Sequence, residues 1–226
     1  MIPFSLILPA AGSGSRSGST VPKQYVDLLG EPVLLHTIRA FAALPECAEI
    51  IVAIDEAWRD KAERMTRGAG NLRFVAGGSE RQHSIANALA AVRADIGLVL
   101  VHDAARPCVS HALIERVLGM AARHGGAIPV LPINETVKRV DADGVIIETI
   151  PRAELRAAQT PQGFGRELLL RAYRHAAEHH LTATDDASVV EAYGHAVHVV
   201  EGEWSNLKIT LPDDFRRAEE ILRARL

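Results

Sequence analysis

Phe4-Ser5-Leu6-Ile7-Leu8-Pro9-Ala10-Ala11-Gly12-Ser13-Gly14-Ser15-Arg16 is the stretch on which the fold turns. Its first half is an apolar run that ends at a proline, and its second half is a loop with almost no side-chain bulk. Residues 4–8 read as a buried first strand. A loop of small residues leaving such a strand lets backbone N–H groups approach an anion closely. Arg16 within the loop, and Lys23 in Pro22-Lys23-Gln24-Tyr25 just beyond it, add fixed positive charge. The stretch therefore predicts a polyphosphate grip at the end of the leading strand of an α/β sheet.

Working outward, apolar strand candidates at 49–54, 73–76, 98–102 and 127–131 alternate with helix candidates at 33–44, 56–67, 81–92 and 111–123. This alternation is the pattern of βαβ units. Ile50-Ile51-Val52 and Val99-Leu100-Val101 are apolar throughout, as strands covered on both faces should be. In the first helix Leu34, Ile38 and Phe41 share a face. The alternation then breaks: 136–140 and 145–150 are β-prone and flank Asp141-Ala142-Asp143-Gly144, a hairpin signal. Residues 136–150 are read as an arm projecting from the sheet. A lone hairpin is marginal in water, so the arm is expected to pack on a second copy of the chain, giving a homodimer, with an arm folded onto its own body as the alternative. Beyond it come a strand at 156–159, helices at 166–179 and 185–193, short strands at 198–201 and 207–209, and a last helix at 213–223 with Pro212 near its start. Without linkers or repeats, 1–226 reads as one domain carrying the arm at 136–150.

The 226 residues suit a single α/β domain, and a net charge of −3 argues against a nucleic-acid binder, which is usually basic. Of the 25 basic residues only Lys23, Lys61, Lys138 and Lys208 are lysines, so a lysine within a motif draws notice for its compact charge. Cys47 and Cys108 form no metal or redox pattern and read as small buried residues in a reducing compartment. The apolar N-terminus lacks a basic n-region, and no run approaches the ~20 apolar residues of a membrane span. The chain is expected to be cytoplasmic, with no membrane partner.

The glycine pattern at 12–18 is neither a dinucleotide fingerprint, whose third glycine would fall one place earlier, nor a Walker loop, which needs Gly-Lys-Ser/Thr. Cations beside it would stabilise charge gathering on a triphosphate attacked at its α-phosphorus. Val101-His102-Asp103-Ala104-Ala105-Arg106-Pro107 puts a carboxylate at the C-terminal edge of a strand, where open α/β sheets bind ligands. Asp103 is a candidate Mg²⁺ ligand beside a triphosphate, and His102 reads as structural. Gly77-Gly78-Ser79-Glu80-Arg81, with Ser84 following, leaves backbone free to read a flat base. Thr136, Arg152, Thr160-Pro161-Gln162 and Lys208 carry no signal one at a time. His175, His179 and His180 complete no metal site, and Thr184-Asp185-Asp186 reads as a helix N-cap.

As an ordered set, Pro9 to Arg16, Pro22-Lys23-Gln24-Tyr25, Gly77-Gly78, His102 to Pro107, Thr160-Pro161-Gln162 and Asn206-Leu207-Lys208 resemble the 2-C-methyl-D-erythritol 4-phosphate cytidylyltransferases of the non-mevalonate isoprenoid pathway. The likeness runs from residue 4 to about 222. It implies a Rossmann-like nucleotidyltransferase fold, a mostly parallel sheet flanked by helices with a projecting β-hairpin arm, and a homodimer. It further implies Mg²⁺-assisted transfer of CMP from CTP to methylerythritol phosphate. By resemblance Arg16 and Lys23 stabilise the transition state, and Arg152 and Lys208 position the substrate phosphate. Pro9, Ala10, Ala11, Gly12, Gly14, Gly78, Ser79, Ser84, Asp103 and Ala104 would hold the nucleotide. Asp103 would also meet the metal and substrate, Thr160 would line the substrate pocket, and Arg106 and Thr136 would reach a partner's substrate. Ser79 stands where an acidic residue is often found in such enzymes. A cytidylyltransferase for another polyol phosphate, such as ribitol 5-phosphate, and a non-catalytic nucleotide-binding protein remain alternatives. A fused second enzyme is not expected, since the sequence ends soon after its last helix candidate.

Overall fold

The computed structural model describes residues 2–12 and 21–225. β1 (Phe4–Pro9) sits inside the main sheet with all but Pro9 buried. It is flanked in parallel by β4 (Cys47–Ile54) on one side and β6 (Leu98–Val101) on the other. β5 (Leu72–Ala76) lies parallel beyond β4. The chain thus builds one way from β1 and then returns to build the other way. That reversal opens a crevice at the carboxyl ends of β1 and β6.

Alternate residues of β1 enter different layers, as strand geometry requires. Phe4, Leu6 and Leu8 pack with Leu34, Ile38 and Phe41 of α1 (Val33–Ala42) and with Leu113 and Val117 of α4 (His111–His124). Ile7 packs instead with Ile85 and Leu89 of α3 (Arg81–Ala90), with Leu169 and Tyr173 of α5 (Arg166–Glu178), and with Val190 of α6 (Asp186–Ala192). Helices therefore cover both faces. α7 (Pro212–Arg223) joins a smaller cluster through Ala218, beside Leu28, Val33 and Ile209. No helix among the described residues is long and apolar enough to cross a membrane.

The far half of the sheet is mixed. β7 (Gly126–Pro132) pairs in parallel with β12 (His198–Glu201) and antiparallel with β10 (Arg156–Ala158) and β11 (Gln162–Gly165). β11 also runs antiparallel to β6. The sequence reading missed β11 because two of its four residues are glycine. Packing explains the first of them: a Cβ on Gly163 would lie 2.8 Å from Leu100 and 2.9 Å from Val117, so a bare backbone is needed where α4 crosses. A second omission is the small hairpin of β2 (Asp27–Leu28) and β3 (Glu31–Pro32), turned by Leu29 and Gly30 at φ 57° and 86°. Leucine is an unusual residue there and gave no turn signal.

Two assignments need correction. The helix expected at 56–67 is a 3-10 turn, Glu56–Trp58, followed by α2 (Arg59–Met65). The strand expected at 207–209 does not form; the segment is pinned by Ile209 N–H donating to the Ala105 carbonyl at 2.8 Å. The arm forms as expected: β8 (Val137–Val140) and β9 (Ile146–Ile150) pair antiparallel as a two-stranded ribbon separate from the main sheet. Val140, Val145, Ile146 and Ile147 on it are all more than half exposed.

Candidate active site

The crevice holds a cleft of about 450 Å³. One wall is Pro9-Ala10-Ala11-Gly12, where β1 empties out. Gln24 shapes this wall: its buried side-chain amide donates to the Ala10 carbonyl at 2.7 Å and to the Gly12 carbonyl at 3.0 Å. Gln24 sits in a 3-10 turn with Lys23 and Tyr25, so the same turn brings Lys23 to the cleft. The opposite wall is Gly78, Ser79, Glu80, Arg81 and Ser84. Gly78 N–H donates to Ser84 Oγ at 3.0 Å, and that hydroxyl donates to the Glu80 carbonyl at 3.1 Å. The two walls meet at Gly77, where an added Cβ would fall 2.3 Å from Ala11 Cβ and 3.1 Å from the Ile54 carbonyl. Gly77→Ala is therefore expected to push the walls apart. Affinity for CTP, the nucleotide the resemblance implies, should fall about tenfold, in line with an overpacking cost of ~1–3 kcal/mol. Calorimetric titration checks this, and unchanged affinity would contradict the account.

Asp103 lies on the floor at the end of β6, among three cations. Lys208 Nζ is 2.9 Å from Oδ2, Arg106 Nε 3.3 Å from Oδ2, and Arg81 Nε 3.7 Å from Oδ1. Burial alone would raise the carboxyl's pKa, but Lys208, Arg81 and Arg106 outweigh it and hold Asp103 far below the usual carboxylate range. It is a permanent anion.

Beneath it runs a closed set of hydrogen bonds. Asp103 N–H donates to Thr160 Oγ1, the Thr160 hydroxyl meets His102 Nδ1, and His102 Nε2 meets the Arg106 carbonyl, each at 3.0–3.1 Å. Taken together these make Nε2 the protonated ring nitrogen and Nδ1 the acceptor. Burial, the largest influence, pushes the His102 pKa down to about 4. The ring is a neutral strut, as the sequence suggested. Asn206 completes the frame: its side-chain amide donates to the Thr160 carbonyl at 2.7 Å, while its backbone carbonyl accepts from Arg106 Nη1 at 2.8 Å.

Of the residues the sequence singled out, Pro9, Ala10, Ala11, Gly12, Lys23, Gly78, Ser79, Ser84, Asp103, Ala104 and Lys208 come together around the cleft. Gly14 and Arg16 lie outside the described residues. Thr160 is not on the lining; it is buried behind Asp103. The structure also turns Arg106 inward, onto Asp103 and Asn206, where the resemblance implied a reach toward a partner's substrate. Its backbone follows Asp103 so closely that the guanidinium is drawn to that carboxylate. Thr136 and Arg152 stand exposed at the two feet of the arm, away from this chain's cleft lining. Sequence reasoning passed over Gln24 and Arg81. Gln24 lay in a quoted motif, but nothing in the letters shows that its amide ties the loop.

An open α/β sheet with a cleft at its switch point, small residues Ala10 to Gly12 along one wall and a cation-ringed carboxylate on the floor is the build of a nucleotidyltransferase, and the comparisons agree on that class. The model of the 2-C-methyl-D-erythritol 4-phosphate cytidylyltransferase family matches residues 4–224. A family enzyme of Bacillus mycoides is 42% identical over 222 residues, 97% of each chain. One from Acidobacterium capsulatum is 45% identical, again over 97% of each. Among solved structures, the Thermus thermophilus enzyme of that name superposes with a TM-score of 0.83 at 37% identity, covering 98% of this chain and all of the other. The 4-diphosphocytidyl-2C-methyl-D-erythritol synthase of Anaerococcus prevotii gives 0.86 at 30%, covering 98% of this chain and 96% of the other. The chain belongs to the 2-C-methyl-D-erythritol 4-phosphate cytidylyltransferase family.

Proposed function

We propose that this enzyme transfers CMP from CTP to 2-C-methyl-D-erythritol 4-phosphate, releasing pyrophosphate and forming 4-diphosphocytidyl-2-C-methyl-D-erythritol. The family match along nearly the whole chain carries the reading, and the cleft chemistry supports it. A substrate phosphate oxygen bonds the α-phosphorus as the bond to pyrophosphate breaks in line, so the protein's task is positioning and charge neutralisation. The small residues Ala10, Ala11 and Gly12 suit close approach by the triphosphate. Gly78, Ser79 and Ser84 suit the cytidine. Lys23 would neutralise charge on the departing pyrophosphate, with Arg16 assigned to the same role by resemblance. Lys208 would hold the attacking phosphate, together with Arg152 from an arm.

The donor set fits a divalent cation of the Mg²⁺ kind. No group of three His, Cys, Asp or Glu forms among the described residues, and Mg²⁺ at phosphate sites takes one or two carboxylates plus phosphate oxygens and water. Asp103 is the one carboxylate required, ionised, with Oδ1 facing its nearest cation at a loose 3.7 Å. Bound there, the metal would neutralise triphosphate charge.

The exposed aliphatic arm supports a homodimer, in which Thr136 and Arg152 at its feet would meet a second copy's cleft. Two cysteines free of any disulfide suit a reducing compartment, and the cytoplasm is the one we propose. The decisive experiment is pyrophosphate release from CTP and methylerythritol phosphate, with ATP and ribitol 5-phosphate as controls. Turnover is expected only with the first pair. Preference for ribitol phosphate, or CTP binding without turnover, would overturn the reading.

A further inference from the structure

Asp186 is a carboxylate with no solvent exposure. The motif it belongs to reads as a helix cap, yet Asp185 does the capping: its side chain accepts from Ser188 N–H. The Asp186 carboxylate is left for something else. Tyr173 Oη donates to its Oδ1 at 2.6 Å, and Arg81 Nη2 donates to its Oδ2 at 2.8 Å. Its backbone N–H donates to Gln162 Oε1 at 3.0 Å. Two elements, α5 and α3, therefore fix the carboxylate, and β11 fixes the backbone that carries it. A buried charge is costly to keep, and an uncharged residue of similar shape often serves stability as well or better. Capping does not account for its retention.

The other end of Arg81 does. Its Nε faces Asp103 Oδ1 at 3.7 Å, beyond hydrogen-bonding distance, while Lys208 holds Oδ2 of the same carboxylate at 2.9 Å. Arg81 is strung between two carboxylates, with its short contact on the buried one and its long contact at the cleft floor. A guanidinium free of Asp186 would close on Asp103 as a paired fork. That would occupy Oδ1 and compete with Lys208 for the same anion.

We propose that Asp186 is a positioning residue that holds Arg81 back from Asp103, keeping one oxygen of the floor carboxylate open and Lys208 in place, with Tyr173 fixing Asp186. The proposal rests on the cleft being the site of the reaction above. It is tested by a kinetic cycle of wild type, Asp186→Asn, Arg81→Gln and the double variant. Asp186→Asn should lower kcat about tenfold with the CTP KM changed less than threefold. The double variant should be no slower than Arg81→Gln alone, since Asp186 acts only through Arg81. An Asp186→Asn kcat within twofold of wild type, or a double variant whose loss is the product of the single losses, would overturn it. Should Asp186→Asn not fold, Tyr173→Phe keeps the ring's packing. It should cost about threefold in kcat alone and nothing more on the Arg81→Gln background, and a further loss there counts against the proposal. A crystal structure of Asp186→Asn, or of Tyr173→Phe in its place, separates this idea from the reaction assignment. Arg81 hydrogen-bonded to Asp103 with Lys208 displaced supports the positioning role whatever the substrate is, and both side chains unmoved refute it.

Discussion

Lys23→Ala is expected to lower turnover of CTP and methylerythritol phosphate by about 100- to 1,000-fold, the loss typical when one preorganised charge-stabilising group is removed (~2.7–4 kcal/mol). The lysine stands at the cleft mouth on the 3-10 turn that Gln24 locks beneath the β1 loop. The Gln24 amide anchors the turn to Ala10 and Gly12, so truncating Lys23 should leave those two residues where they are. The thermal midpoint should then move by no more than a few degrees, while the kcat loss exceeds any rise in KM for CTP, because the missing charge matters most as pyrophosphate departs. Steady-state pyrophosphate release and a melting curve on the same preparation decide the matter. Near-normal release from a folded variant would remove Lys23 from the mechanism. Gln24 gives a useful contrast: its loss would disturb the loop's geometry and not the charge, so it should raise KM as well as lower kcat.

The difference between these neighbours marks how far the sequence could be read. Charge and bareness are legible in letters. The apolar run at 4–8, the glycines at 77 and 78, and the carboxylate after an apolar strand each showed their chemistry and their place at a strand's end. Residues whose work is done by geometry were not legible. Gln24, Asp186 and Tyr173 matter through bonds to groups 14, 105 and 13 positions away in sequence. β11 was hidden for a related reason. Gly163 must stay bare because α4 passes overhead, and only the packed structure brings that helix across β11. Arg106 shows a different limit. Its reach toward a partner's substrate was implied by resemblance alone, and within one chain the three-residue spacing brings its guanidinium round onto Asp103.

Excising 137–149 is expected to yield monomers on size-exclusion with light scattering, and to cut turnover by about a hundredfold. The ribbon of β8 and β9 stands apart from the main sheet, and Val140, Ile146 and Ile147 on it are 52–61% exposed. A two-stranded ribbon with bare aliphatics gains little from existing alone, so burial against a second copy is what would stabilise it. The catalytic loss has a separate cause. Arg152 sits where the chain leaves β9, exposed and outside this chain's own cleft. If it serves a substrate phosphate, its placement depends on the arm's being seated on the partner. Misplacing a positioning group by about 1 Å already costs ~100-fold. Arg152→Ala in the intact dimer separates the two effects: it should reproduce the loss of turnover and leave the dimer unchanged. A fully active monomer after excision would show that each cleft is complete within one chain, and the arm would then be an assembly device alone.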